Sequence, residues 1–157
     1  WIAYIGQLFA ILIVEFFFKF KFDYFICILI IFFGVLTNLY LIFKIRENQL
    51  NYFVSTLYLS YDIAQLGLLL FFTGGISNPF VILLIIPAVF SSQYLSIWSS
   101  AILVTLTIIA LLILTFFYFD LPHPGTVNFN APEYYLYSIP VSILIGLIFI
   151  VYFGFKF

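Results

Sequence analysis

Methionine is absent from this chain, and cysteine and histidine occur once each, as Cys27 and His123. A single cysteine excludes an internal disulfide framework. A single histidine excludes haem held by two histidines of one chain. Charge is nearly as scarce. Charged residues make up 7% of the 157 residues, against about 25% in a typical soluble domain. Such a chain would not stay dissolved alone. The formal net charge of −1 gives a nucleic-acid partner no electrostatic footing. No HExxH zinc motif and no Walker loop is present. One aspartate in mid-segment cannot form an aspartyl dyad. No internal repeat is visible, which speaks against an inverted-repeat transporter.

What the chain does have is apolar length. Hydrophobic residues are 66% of the total, in runs near the roughly 20 residues that a helix needs to cross a bilayer. The fold class is therefore an all-α membrane protein rather than a barrel, with six transmembrane helices expected. The segments are Trp1–Phe18, Tyr24–Phe43, Asn51–Phe72, Pro79 to about Ile97, Ser99–Phe119 and Tyr134–Phe155. Between the fourth and fifth no charge marks the turn. A longer polar connection, Asp120–Glu133, precedes the sixth. The chain opens with Trp1 already inside an apolar run and reads as a piece trimmed at both ends. Its first run is too long and too poorly flanked for a cleaved signal peptide. Six spans place both ends on one side. That side carries Lys44, Arg46 and Lys156, and the other carries Lys19 and Lys21. By the positive-inside rule the ends are cytoplasmic.

Polar groups within the spans are costly in lipid, so each is a functional candidate. Glu15 precedes Lys19 by one helical turn, which fits a snorkelling pair at the interface. Asp62 has no basic neighbour in sequence. Ser55, Tyr58, Asp62 and Gln65 step by three, four and three residues, which places them on one face of the third helix. Two readings stay open for that stripe: hydrogen-bonding between helices, or a part in ligand binding. Pro87 in mid-helix would free the Leu83 carbonyl. It lies 9 residues past Asn78, and Gln65 lies 9 before Gly74, both about 13 Å deep. The Gln65 amide can then reach that carbonyl, or the helix simply kinks. In the sixth segment Ser138, Ser142 and Gly146 recur every fourth residue around Pro140. Such a stripe of small residues admits another helix, from a second copy or from the same bundle.

The most informative stretch is Gly74-Gly75-Ile76-Ser77-Asn78-Pro79-Phe80. It is uncharged and lies between two apolar segments. The paired glycines permit φ > 0 and close approach by another group. Asn78 followed by Pro79 is a helix-start pattern, with asparagine as N-cap and proline at the first helical position. The expected result is a tight turn beside the open N–H groups of a helix start, within reach of lipid. An amphiphile with a carbonyl-bearing head suits such a place.

Three stretches carry a resemblance. Tyr61-Asp62-Ile63-Ala64-Gln65-Leu66 with Leu68-Leu69-Leu70, then Thr73–Phe80, and the opening Trp1–Gln7 together resemble the membrane domain of RegB/PrrB-type redox sensor histidine kinases. Pro87-Ala88 fits the same pattern. Spans two, five and six match in hydrophobic character. The resemblance implies a six-helix sensory domain, residues 1–157, in the bacterial inner membrane. It implies a loop that senses the ubiquinone pool through Gly74, Gly75, Asn78, Pro79 and Phe80, with Asp62 and Gln65 as supporting polar residues. It also implies a homodimer, a cytoplasmic kinase domain in cis whose autophosphorylation oxidised quinone lowers, and a response regulator downstream. The family's phospho-accepting histidine and redox-active cysteine lie after the sixth span, so His123 and Cys27 match neither. Without the heptapeptide, an assembly subunit of a membrane complex or a small channel fits the composition equally.

Overall fold

A computed structural model describes residues 2–12, 15–16, 23–44, 51–120, 139–140, 143–144 and 147–148. The expectations for Lys19, Lys21, Arg46, His123, Ser138, Ser142, Gly146 and Lys156 lie outside the described residues. Pro140 is described and buried. Among the described residues the elements are helical, with no strand: α1 (Ile2–Leu12), α2 (Tyr24–Lys44), α3 (Tyr52–Phe72), α4 (Ile85–Tyr94) and α5 (Ile97–Phe116). Two 3-10 segments, Gly75–Ser77 and Pro79–Leu84, link α3 to α4.

The second and third apolar segments form helices almost to the residue. Both are proline-free runs. Helix α3 starts where Asn51 accepts the Val54 N–H through its side chain at 2.9 Å, an N-cap. Helices α2, α3 and α5 are each long and apolar enough to cross a membrane. Large apolar side chains such as Phe25, Phe53, Trp98 and Phe116 are exposed. An apolar surface of that extent fits contact with lipid rather than water.

The fourth segment departs from expectation. Pro79–Leu84 winds as 3-10 helix before α4 begins. Pro87 therefore sits in the first turn of α4, where an N–H has no intrahelical partner to lose. It interrupts no ladder, and the expected mid-helix opening does not form. The Leu83 carbonyl accepts from the Ile85 N–H, which it shares with Ile82. The Gln65 amide turns to α1 instead. It is Thr107 of α5 that reaches across to the last residue of the 3-10 segment, donating to the Leu84 carbonyl at 3.3 Å and to its own Leu103 carbonyl at 2.9 Å. Six residues of 3-10 helix and ten of α-helix together rise about 27 Å, close to the hydrocarbon thickness of about 30 Å.

The turn between the fourth and fifth segments also shifts. Helix α4 ends at Tyr94, and α5 starts two residues before the expected Ser99. Ser96 is the reason. Its hydroxyl accepts the Ser99 N–H at 3.2 Å and pairs with the Ser99 hydroxyl at 2.9 Å. A hydroxyl N-cap, rather than charge, sets this boundary.

Two apolar clusters meet on α3. One gathers Ile63, Leu66 and Leu70 of α3 with Leu84 and Ala88, with Leu103, Leu111 and Leu114 of α5, and with Ile143 and Leu147. The other joins Leu69 of α3 to Tyr4, Ile11, Cys27, Ile30 and Ile31 of α1 and α2. Helix α3 is thus the element that both halves share. It lies closely on α5: a Cβ at Gly67 would stand 3.8 Å from the Ala110 Cβ. Small facing residues let two backbones approach in this way.

Candidate functional site

The heptapeptide closes the end of α3. Gly74 and Gly75 both have positive φ, 99° and 56°, a backbone that side chains with a Cβ disfavour. They reverse the chain within two residues. Asn78 then does two things. Its Oδ1 accepts the Phe80 N–H at 2.9 Å, which caps the segment that begins at Pro79. Its Nδ2 donates back to the Thr73 carbonyl at 2.8 Å and to the Thr73 hydroxyl oxygen at 2.9 Å. Thr73 in turn donates to the Leu69 carbonyl at 2.8 Å. One side chain therefore lashes the start of the next helical segment to the last turn of α3.

The open N–H groups expected at this helix start are largely spent. Ser77, Asn78 and Val81 donate to loop carbonyls, and Gly74 donates to the Phe119 carbonyl at 3.1 Å. A turn this tight satisfies its own donors, and only part of it faces outward. Gly74, Gly75 and Ile76 are buried, whereas Ser77, Pro79 and Phe80 are exposed. Phe80 is 45% exposed.

The residues after α5 form the other wall. Phe117–Asp120 leave the helix and run back across the loop. The Phe119 N–H donates to the Phe71 carbonyl at 2.8 Å, and its carbonyl takes the Gly74 N–H. The Phe119 ring stacks on Phe72 with centroids 5.3 Å apart and meets Phe71 edge-on at 5.4 Å. Tyr118 lies directly over Gly75, so that a Cβ there would collide with the Tyr118 Cβ and Cγ. The close approach that glycine permits is taken by the chain's own tyrosine. Sequence reasoning named the loop but missed Tyr118 and Phe119, whose apolar setting carries no local signal of a return to α3.

Asp62 and Gln65 do not line this loop. They lie about 18 Å and 14 Å from Gly74 along α3 and face α1. The Tyr4 hydroxyl donates to Asp62 Oδ1 at 3.0 Å. Gln65 donates to Gln7 at 2.9 Å, and the return bond from Gln7 is long at 3.5 Å. Both pairs are 58 residues apart in sequence, so α1 and α3 run parallel. Gly34 of α2 completes the junction. A Cβ on it would collide with Tyr4 Cε1, so the tyrosine ring lies on a glycine floor. Thr37 and Asn38 both donate to the Gly34 carbonyl, at 2.8 and 3.4 Å. The polar stripe thus ties helices together, and its other members, Ser55 and Tyr58, are half-buried. The shared spacing of three residues in Tyr4/Gln7 and Asp62/Gln65 was the signal that could have found the partner helix.

Tyr4→Phe keeps the ring on Gly34 and removes the hydroxyl that bonds Asp62. Hydrogen bonds between membrane helices average about 0.6 kcal/mol and reach about 1.7. A loss of about 1 kcal/mol is expected in thermal unfolding in micelles, with the helix content of the folded protein unchanged. An unaltered midpoint would mean that Asp62 finds an equal partner without the tyrosine hydroxyl.

Over 151 residues, 96% of this chain, the sequence is 28% identical to the sensor histidine kinase RegB of Cereibacter sphaeroides. The aligned stretch is 33% of that protein, so the chain spans about a third of the length of the curated relative it matches. The likeness to RegB-type sensor kinases read from the sequence is borne out by this similarity. No protein-family model and no solved structure matches the chain.

Proposed function

We propose that this chain is the membrane sensory domain of a redox-responsive two-component sensor histidine kinase, and that the loop between α3 and α4 responds to the ubiquinone pool. The observation that carries the reading is the similarity to a sensor histidine kinase along nearly the whole chain. In this reading residues 1–157 form one six-helix unit. The 3-10 winding of Pro79–Leu84 supports a full fourth span in spite of its 16 residues, because it lengthens the segment to nearly a bilayer's hydrocarbon depth. Both ends of the chain are cytoplasmic, in a bacterial inner membrane. The parent protein is a kinase that acts as a homodimer and passes phosphate to a response regulator.

A quinone is flat, uncharged and lipid-soluble. The loop matches it in being uncharged, partly open to lipid at Pro79 and Phe80, and flanked by the rings of Phe71, Phe72 and Phe119. With most loop N–H groups spent within the chain, the head is held by shape and aromatic contact against Gly74, Gly75, Asn78, Pro79 and Phe80. The first test is extraction: protein purified in mild detergent should carry ubiquinone. Phe80→Ala is the second. Aromatic pairing contributes about 0.5–1.5 kcal/mol, so affinity for decylubiquinone should fall roughly two- to tenfold. Because Phe80 is half-exposed, stability should barely change. Affinity equal to the unmodified protein's would remove Phe80 from the site.

A further inference from the structure

We propose that Tyr118 and Phe119 form a latch on the loop, and that a quinone ring seats on Gly75 only by displacing Tyr118. The inference rests on the quinone reading above and says how that site is gated. Three observations support it. The left-handed backbone at Gly75 creates a slot with no Cβ, and this slot is already filled by the Tyr118 side chain. The filling atoms include the Tyr118 Cβ, not only the far end of the ring. Rotation of the ring about χ1 leaves Cβ in place, so the slot opens only when the backbone at Tyr118 shifts. The next residue, Phe119, holds that backbone through both of its main-chain groups, one to Phe71 at the end of α3 and one to Gly74 in the loop.

Filling the slot from outside therefore has a mechanical consequence. A ring on Gly75 displaces Tyr118 and loosens the Phe119 bonds to Phe71 and Gly74. The exit of α5 is then released from the end of α3. Closed, the latch lowers apparent affinity, because only the open fraction binds. The ligand class follows from the slot: a flat ring takes the place of a flat ring, and a linear lipid head does not.

The test uses the protein in nanodiscs, with decylubiquinone as the probe and saturated decyl alcohol as the ring-free control. Tyr118→Gly removes Cβ and ring together, so it empties the slot and should bind the quinone about tenfold more tightly. Tyr118→Phe keeps the ring over Gly75 and should bind as the unmodified protein does. Decyl alcohol should show no difference among the three. Amide exchange adds a second readout: quinone should speed exchange at Gly74 and Phe119 in the unmodified protein. If Tyr118→Gly does not fold, Tyr118→Ala, which clears the ring but keeps the Cβ, replaces it in the comparison and should show a smaller gain in the same direction. Equal affinity in all forms, with quinone still bound, overturns the latch and leaves the quinone reading standing. Weaker binding by a folded Tyr118→Gly also overturns it, because Tyr118 would then be part of the ring's own contact. Binding by none of the forms overturns both.

Discussion

Gly75→Ala should be among the most damaging single-methyl changes in the chain. Two costs add at this position. At φ 56° a residue with a Cβ pays about 1–2 kcal/mol for the left-handed backbone. The new methyl also collides with the Tyr118 Cβ and Cγ, atoms close to a backbone that Phe119 holds on both sides. Overpacking of that kind costs about 1–3 kcal/mol. The expected loss is therefore about 2–5 kcal/mol, seen as a lower midpoint in thermal unfolding in micelles. Gly6→Ala is the matched control. It lies within α1, and a Cβ there meets nothing within 4 Å. Exchange of glycine for alanine inside a helix gains up to about 1 kcal/mol, so this variant should be neutral or slightly stabilised. If the two variants unfold alike, Tyr118 does not occupy the slot over Gly75.

The same loop shows what could and could not be read from sequence. The helix start at Asn78-Pro79 was legible because N-cap and proline effects act within a few residues. So were α2 and α3, where unbroken apolar runs leave the backbone no competing choice. The role of Pro87 is not legible locally, because its effect depends on where the α-helix begins. A 3-10 run beforehand moves it from mid-helix to the first turn, and nothing in residues 79 to 84 announces that winding. The start of α5 carries a local signal in Ser96, a hydroxyl N-cap at a boundary that no charge marks. The partners of Asp62 and Gln65, and the cover over Gly75, are of a different kind. Tyr4 meets Asp62 across 58 residues, and Tyr118 meets Gly75 across a whole helical hairpin. Which helices become neighbours is decided by packing over the full bundle, and in an almost uniformly apolar chain few charges record the answer.

Asn78→Ala should have the second large effect, and its analogues separate the two tasks of the side chain. Alanine removes the cap on Phe80 and both bonds to Thr73. A lost asparagine cap costs about 1 kcal/mol, and each further bond about 0.5–1.5 kcal/mol. The sum is about 2–4 kcal/mol. Asn78→Ser keeps an acceptor for the Phe80 N–H but is too short to lash Thr73, so it should recover about the cap's share. Thr73→Val removes one of the two acceptors that Asn78 uses and leaves the cap alone. In a double-mutant cycle, Asn78→Ala and Thr73→Val should couple by more than about 0.5 kcal/mol, because they share a bond. Asn78→Ser and Thr73→Val should couple less. The distinction bears on sensing. The cap belongs to the outgoing segment alone, whereas the Thr73 bonds make the end of α3 and the segment that begins at Pro79 move as one piece. If the loop transmits a bound ligand's presence to both helices, Asn78→Ser should keep most of the stability yet weaken the quinone-induced change in amide exchange beyond the loop. Full transmission in the serine variant would assign the coupling to the Phe119 bonds instead of to Asn78.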